Sequence, residues 1–343
     1  MTVPRAASWA ETVARVQENP QICPMSFALK SGEPVGNSVR RLALRSIDRA
    51  LSQILDLAGD PHKAVHDVRR RCNEVRALLR LVRGSIPRDV YLTESERFRS
   101  LRHLLGGARD SSAALEAFDR LATLAPPDID RTMLLSVRKN LIALRDQAEE
   151  DAPPTADLAA IGETLTRAQD TFSALEFRKE GFEAIAEGLT ATYRRGRKAL
   201  KVALTSEDPE ALHEWRKQEK HLRQHLRILR PVWPAIVKAM AREASVLAAF
   251  LGDDHDLFVL AALIDREGKA VADRPTRKLL RKMIANRRKE LQVEAFALGH
   301  RLYAEKPAAF RRRMADWVEI WLTTKDAVDA LHGIAPVESP TRK

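Results

Sequence analysis

Only two cysteines, Cys23 and Cys72, occur in 343 residues, too few for a disulfide framework or a thiolate metal centre. Aromatic residues are scarce at 5%, and period-two alternation is rare, which argues against a strand-rich fold. No stretch approaches the ~18 consecutive apolar residues of a membrane span. Met1–Ala10 lacks the apolar core of a secretory leader. Also missing are a glycine-rich phosphate loop, a nucleophile–base pair and a carboxylate pair spaced for acid–base work. These absences favour a cytoplasmic bacterial-type protein, with no membrane association, that binds rather than catalyses.

What is present is basic and helical. Hydrophobic residues make up 45% of the chain, enough for a core, and Ala, Leu, Arg and Glu are abundant. The formal net charge of +11 points to a polyanionic partner: nucleic acid, anionic lipid or polyphosphate.

One pattern is written twice. His66 is followed by Arg69, Asn73, Arg76, Arg80 and Arg83; His213 is followed by Arg216, Lys220, Arg223, Arg227 and Arg230 at the same intervals. On a helix these positions form one narrow stripe about 25 Å long. The residue before each builds an apolar stripe beside it: Val65, Val68, Cys72, Val75, Leu79 and Val82, then Leu212, Trp215, Glu219, Leu222, Leu226 and Leu229. The cations therefore flank a buried seam, with Glu219 its one lapse and Cys72 an expected buried free thiol, as a reducing cytosol permits. On the outer face, Asp67 with Arg71 and Arg70 with Glu74 read as i,i+4 surface pairs. The basic stripes lack such acid partners, so an anion from elsewhere is expected.

The chain reads as an all-α protein. Residues 1–25 form an N-terminal extension holding the amphipathic segment Trp9–Gln17, and Ser31, Gly32 and Pro34 supply turn chemistry after it. Helices are expected from a cap at Asn37–Ser38 to Ala58, from about Pro61 to Gly84, over Thr93–Leu105, from Arg109 to Leu124 and over Ile129–Glu149. Asp151–Thr155 is the clearest linker. Further helices are expected over Asp157–Ala174, Phe182–Ala203, Pro209–Arg230, Arg277–Tyr303 and Pro307–Thr323, before a flexible tail (326–343). Landmarks recur: Asp60–Pro61 and Asp208–Pro209 precede the two histidines, and Leu105–Gly106 through Asp110 is matched by Leu251–Gly252 through Asp256. Matched landmarks at near-equal offsets indicate an internal repeat. Asp110 and Asp256 read best as N-caps, with pairing to a stripe arginine as the alternative. Arg109 and His255, at matched positions, are weaker anion-binding candidates.

With the histidine helices, the Gly-x-x-x-Asp landmarks and the duplication in view, the chain resembles the CHAD family, over about residues 26–325. Phe27–Val35, Tyr193–Leu200, Leu212–Lys217 and Leu251–Asp256 are similar to the family's motifs. The resemblance implies two four-helix-bundle subdomains related by an internal pseudo-twofold repeat, a first half of about 26–150 and a second of about 156–325. It also implies a basic surface and central channel that bind inorganic polyphosphate. Position by position it points to His66, Arg69, Arg76 and Arg80 with His213, Arg216, Lys220, Arg223 and Arg227, and to Arg45 and Arg194 in the preceding helices. Two departures stand out. Asn73 sits where the family usually has a cation, and Ser111–Ser112 degrades the first Gly-x-x-x-Asp motif. Many members carry a triphosphate-tunnel domain, whose alternating glutamates are absent from residues 1–25.

Polyphosphate carries about one negative charge per phosphate, and the planar donor fork of arginine matches phosphate oxygens. A helix turn advances about 5.4 Å, so a cation recurs every one or two phosphates. An imidazole among many cations should be neutral until a polyanion arrives, so binding is expected to tighten as pH falls. The plainer alternative for the leading histidines is a first-turn side chain bonded to backbone or to aspartate.

Three rivals remain. His62 with His66 and His221 with His225 have i,i+4 spacing that a metal can bridge, but no acidic ligand accompanies them, so no metal or other cofactor is expected. A histidine phosphotransfer domain would use one exposed imidazole, whereas the stripes run five residues deep. Nucleic-acid binding is the main non-enzymatic rival. The stripes carry no interleaved aromatics for base stacking, so only weak, salt-sensitive binding is expected. The purposes open to such a module include targeting to polyphosphate granules and partnership with a polyphosphate-metabolising enzyme.

Overall fold

Proline and aspartate fix where the long helices begin. In the computed structural model, which describes residues 27–55, 61–104, 109–150, 158–206 and 208–332, eleven α-helices and one short 3-10 turn follow one another, with no strand among the described residues. They are α1 (Val35–Leu55), α2 (Pro61–Val82), α3 (Arg88–Leu104), α4 (Arg109–Thr123), α5 (Arg131–Glu150), α6 (Leu158–Ser173), α7 (Glu183–Thr205), α8 (Pro209–Leu229), α9 (Pro234–Glu267), α10 (Arg274–Leu302) and α11 (Pro307–His332). Asp208 caps α8 by accepting from the Glu210 amide at 2.9 Å, with Pro209 opening the helix. Asp273 caps α10 through the Thr276 amide at 2.9 Å. Gly268, at φ 53°, ends α9 in a conformation that side chains resist.

Several boundaries differ from the sequence reading. α1 begins at Val35, so Ser38 is no cap: it is buried inside the first turn, where its hydroxyl accepts from the Lys30 amide at 3.0 Å and donates to Glu33 at 2.6 Å. α9 runs unbroken through Gly252, so Asp256 lies in mid-helix and not at an N-cap. α11 continues to His332, beyond the end read at Thr323. The N-terminal extension with Trp9–Gln17, Cys23, the Gly106 landmark, the 151–155 linker and the tail from 333 onward lie outside the described residues.

The helices pack in two linked groups. α1 lies on α2 and α6, and α3 on α2 and α6, closing a ring of four. In the second group α7, α8, α9 and α10 form the ring, with α11 against α7. α4 and α5 pack on each other, and α4 crosses over to lie on α9. The seams are buried as the heptad pattern requires. Val68, Cys72, Val75, Leu79 and Val82 line α2, and Trp215, Leu222, Leu226 and Leu229 line α8. Each such side chain stabilises the fold by about 1.5–3 kcal/mol relative to exposure, whereas a surface ion pair contributes at most about 1, so the seams decide which faces turn inward. Trp215 stacks on Phe296 of α10 with ring centroids 5.5 Å apart.

One contact joins the groups closely. α7 approaches α2 so tightly at Gly188 that a Cβ there would stand 2.1 Å from the Leu81 carbonyl oxygen. That glycine lets the two basic helices share one interior.

Candidate functional site

α2 and α8 also meet directly. His225 Nε2 lies 3.0 Å from the Ala77 carbonyl oxygen. A carbonyl only accepts, so Nε2 carries the proton and Nδ1 is left bare and buried. Burial holds His225 down to about 4 despite that bond, so it is a neutral pin between helices. Counted from the leading histidines, Ala77 is the eleventh residue on its helix and His225 the twelfth on its own. The two copies of the pattern therefore cross, touching within one position of each other.

On one side of this crossing lie Arg76 and Arg80. Burial lowers both, Arg76 to about 10. After burial, Arg76 is lowered by Arg80 and by Arg102 and Arg99 on α3, whereas on Arg80 the Tyr91 hydroxyl opposes the lowering by Arg195 on α7 and by Arg99 and Arg102. His221 of α8 faces the same pair and is held well below its ordinary value by burial and then by Arg80, His225, Arg76 and Lys220. No ion pair to a carboxylate is found for Arg76 or Arg80 among the described residues; Arg80 Nη1 reaches only the Arg76 carbonyl at 3.4 Å.

On the other side lie Arg223 and Arg227. Arg223 is lowered to about 10 by burial and by Arg227, with Glu219 opposing, and its Nε has no hydrogen-bond partner. Arg227 donates to Gln224 at 3.1 Å and faces Glu74, Arg70 and Arg71 of α2. Glu74 is buried at 5% exposure, accepting from Arg71 at 2.9 and 3.1 Å and from Ser46 at 3.0 Å. The outer-face pairing expected from sequence is thus rearranged: Arg71 pairs with Glu74 and Arg70 with Asp67 at 3.2 Å, both at i,i+3, and Glu74 is interior. Arg45 acts on Arg49, which shares the influence of Glu74, Arg70 and Arg71.

A third group forms where α8 begins. His213 Nδ1 faces His255 Nδ1 of α9 at 3.1 Å, with ring centroids 4.4 Å apart. Burial brings His255 down to about 4, aided by Arg216, His213, Lys220 and Arg288; burial also lowers His213, with Glu210 opposing. Asp256 lies 3.1 Å from Arg120 of α4 and 3.9 Å from Arg216, while Arg288 and Gln292 hold Asp254 at 3.0 and 2.8 Å. Asp256 therefore takes the alternative role, pairing with a stripe arginine.

The expected stripe residues accordingly divide. Arg76 with Arg80, Arg223 with Arg227, and His213 with Arg216 and Lys220 occupy three neighbouring groups. Arg69 is half-buried on α2, whereas His66 and Arg194 are exposed. Sequence reasoning assigned no role to Arg99, Arg102 and Arg195, weighed His221 only as a metal ligand and read Glu74 as a surface partner of Arg70. His221 and Glu74 share a position, the eighth after each leading histidine, one step beyond the stripe that was followed. Chemically the groups offer fixed N–H donors and neutral imidazoles. No cluster of three or more His, Cys, Asp or Glu side chains suited to a metal occurs among the described residues, and no described helix is long and apolar enough to cross a membrane.

The family model for the CHAD domain matches residues 41–265. Two curated relatives from strains of Mycobacterium tuberculosis, the uncharacterized proteins MT2285 and Rv2226, are each 26% identical over 238 residues, covering 66% of this chain and 45% of theirs. The chain thus spans about half the length of these relatives. Among solved structures, PptA from Streptomyces chartreusis superposes with a TM-score of 0.56 at 15% identity, covering 80% of this chain and 100% of that one. The CHAD domain from the plant Ricinus communis superposes with a TM-score of 0.53 at 18% identity, covering 80% and 95%. These likenesses show a shared fold.

Proposed function

The chain belongs to the CHAD family, and from that premise we propose that it is a binding module, not an enzyme, for inorganic polyphosphate along the basic faces of α2 and α8. One observation carries the reading: Arg76, Arg80 and Arg223 are each partly withdrawn from water with no carboxylate bonded to them among the described residues. Removing a guanidinium from water without an anion costs free energy, and a fold does not keep several such groups together unless a ligand offsets the cost. A chain of phosphates supplies one charge per unit at a spacing short enough to serve successive helix turns. The neutral imidazoles His213, His221 and His255 fit the same ligand, because a polyanion favours their charged forms.

Nucleic acid ranks second. It satisfies the charge requirement, but Trp215 lies wholly inside the seam and no aromatic side chain interleaves with the stripe cations to stack a base. A cytoplasmic location at polyphosphate granules, and partnership with a polyphosphate-metabolising enzyme, follow as corollaries of the same proposal.

The test is a competition at about 0.15 M salt, where exposed charges are screened beyond roughly 8 Å. Labelled long-chain polyphosphate on the protein is challenged with duplex DNA and single-stranded RNA. A variant with Arg76, Arg80, Arg223 and Arg227 all changed to alanine runs alongside. Polyphosphate is expected to resist both competitors and to be lost from the variant. Displacement by RNA at equal phosphate concentration, with the variant binding as well as the parent, overturns the proposal.

A further inference from the structure

The repeat places equivalent residues opposite one another, and at one position it places opposite charges. Glu74 and His221 are each the eighth residue after the leading histidine of their helix. His221 faces both arginines at positions ten and fourteen of α2, Arg76 and Arg80, and Glu74 faces the one at position fourteen of α8, Arg227. One half of the crossing therefore holds an imidazole among arginines, and the other holds a carboxylate.

The carboxylate is not incidental. Glu74 is buried, takes two hydrogen bonds from Arg71 and one from Ser46 of α1, and is the one acidic group among the charges that act most strongly on Arg227 and Arg49. A buried carboxylate held by an arginine nitrogen and a hydroxyl, set among arginines, has the hydrogen bonding a phosphate oxygen would otherwise receive. At the opposite half no carboxylate stands among the charges acting most strongly on Arg76, Arg80 or His221. Arg76 and Arg80 are half-buried with no carboxylate bonded to them among the described residues, while Arg102 and Arg195 at the exposed margin leave that half open to an anion from solution.

We propose that the two halves of the crossing are unequal anion sites. The Arg76–Arg80–His221 half is an open receptor for consecutive phosphate groups, and the Arg227 half is already filled by the chain's own Glu74. A short polyphosphate then binds once per chain and at a defined end. Longer chains start from that half and continue over Arg223 and Arg216. This rests on the polyphosphate reading for the ligand's identity, but the inequality is a property of the protein alone.

Titration calorimetry with inorganic tripolyphosphate at about 0.15 M salt tests it. The parent chain is expected to take one tripolyphosphate. Arg76→Ala with Arg80→Ala should weaken that binding at least about tenfold, as loss of one charge-assisted contact or more implies. The matched pair Arg223→Ala with Arg227→Ala, identical in charge, should weaken it less than about threefold. Glu74→Gln should open a second site of similar affinity. Because Glu74 is buried and that variant can lose structure, His221→Glu provides the reciprocal: it sets a carboxylate into the open half at a partly exposed position and should weaken binding at least about tenfold. Two equal sites in the parent, equal losses in the two arginine pairs, or unchanged binding by His221→Glu overturns the proposal. Failure of the competition with RNA and DNA removes polyphosphate as the ligand and leaves these comparisons readable.

Discussion

Tyr303, at the cap that ends α10, donates its hydroxyl to Glu219 of α8 at 2.7 Å, both groups buried in the seam where the apolar pattern lapses. Gly196 of α7 makes room, since a Cβ there would stand 2.1 Å from the tyrosine oxygen. Burial raises Glu219 to about 7, against the Tyr303 hydrogen bond and the Arg223 charge.

That raised value makes stability depend on pH with a definite sign. Below about pH 4.5 the carboxyl is protonated folded or unfolded and costs nothing. Between 4.5 and 7 the unfolded chain releases the proton while the fold keeps it, so stability falls as pH rises, and above 7 the cost is complete. His225 and His255, both held down to about 4, act oppositely: their contribution is lost as pH falls from 6.5 towards 4. Glu219→Gln isolates the first effect. Its stability relative to the parent should increase by on the order of 2–3 kcal/mol between pH 4.5 and 7.5 in urea unfolding. A difference that does not change over this range removes Glu219 as the source.

Two glycines should answer in opposite directions to the same substitution. Gly188 meets the backbone of α2, which cannot swing aside, so Gly188→Ala should cost about 3 kcal/mol or more, the upper end of overpacking. Gly162, inside α6, has nothing within 4 Å of an added Cβ. Gly162→Ala should therefore stabilise by roughly 0.5–1 kcal/mol through helix propensity alone. Midpoints from thermal or urea unfolding decide both, and a tolerated Gly188→Ala would show that α2 and α7 have room to separate.

The facing rings of His213 and His255 predict when binding becomes pH-sensitive. Two nitrogens at 3.1 Å share a single proton, and burial keeps both imidazoles below their ordinary range, beside Arg216, Lys217, Lys220 and Arg288. Bound polyphosphate raises them, so binding takes up protons and strengthens as pH falls. The gain should be small from pH 8 to 7 and should reach several-fold below about 6.5. A double change to glutamine should flatten the profile. Equal affinity at pH 7.5 and 5.5 in the parent excludes these histidines from the response.

Much of this was legible in the chain because it rests on short periods. The heptad seams, the two histidine stripes and the proline starts of α2 and α8 come from local spacing, and apolar burial enforces the seams whatever lies nearby. What the sequence hid depends on helices remote in the chain. Arg99, Arg102 and Arg195 look like ordinary surface cations until α3 and α7 are laid beside α2. Glu74 looks like a surface partner of Arg70 until α1 supplies Ser46 and α8 supplies Arg227. Asp256 resembles a cap because Gly252 resembles a break, but α9 is apolar enough around Leu251 and Leu257 to run straight through.

Arg223 provides the sharpest separation of binding from stability. The side chain is partly buried, its Nε is buried and unpaired and Arg227 repels it, the reverse of what a structural arginine would need. A residue kept for the fold loses stability when removed; one kept for a ligand costs stability until the ligand arrives. Arg223→Met retains much of the apolar stem while deleting the buried charge, so the empty protein should become more stable by about 1–3 kcal/mol, as when buried charges give way to apolar groups. Long-chain polyphosphate, which continues from Arg76 and Arg80 over Arg223, should then bind the variant at least about fivefold more weakly, and the rise in Tm that a saturating amount of it gives the parent should shrink. If Arg223→Met destabilises the empty chain instead, Glu219 is its true partner and the arginine belongs to the fold. That outcome would move the ligand's contacts to Arg76 and Arg80 across the crossing.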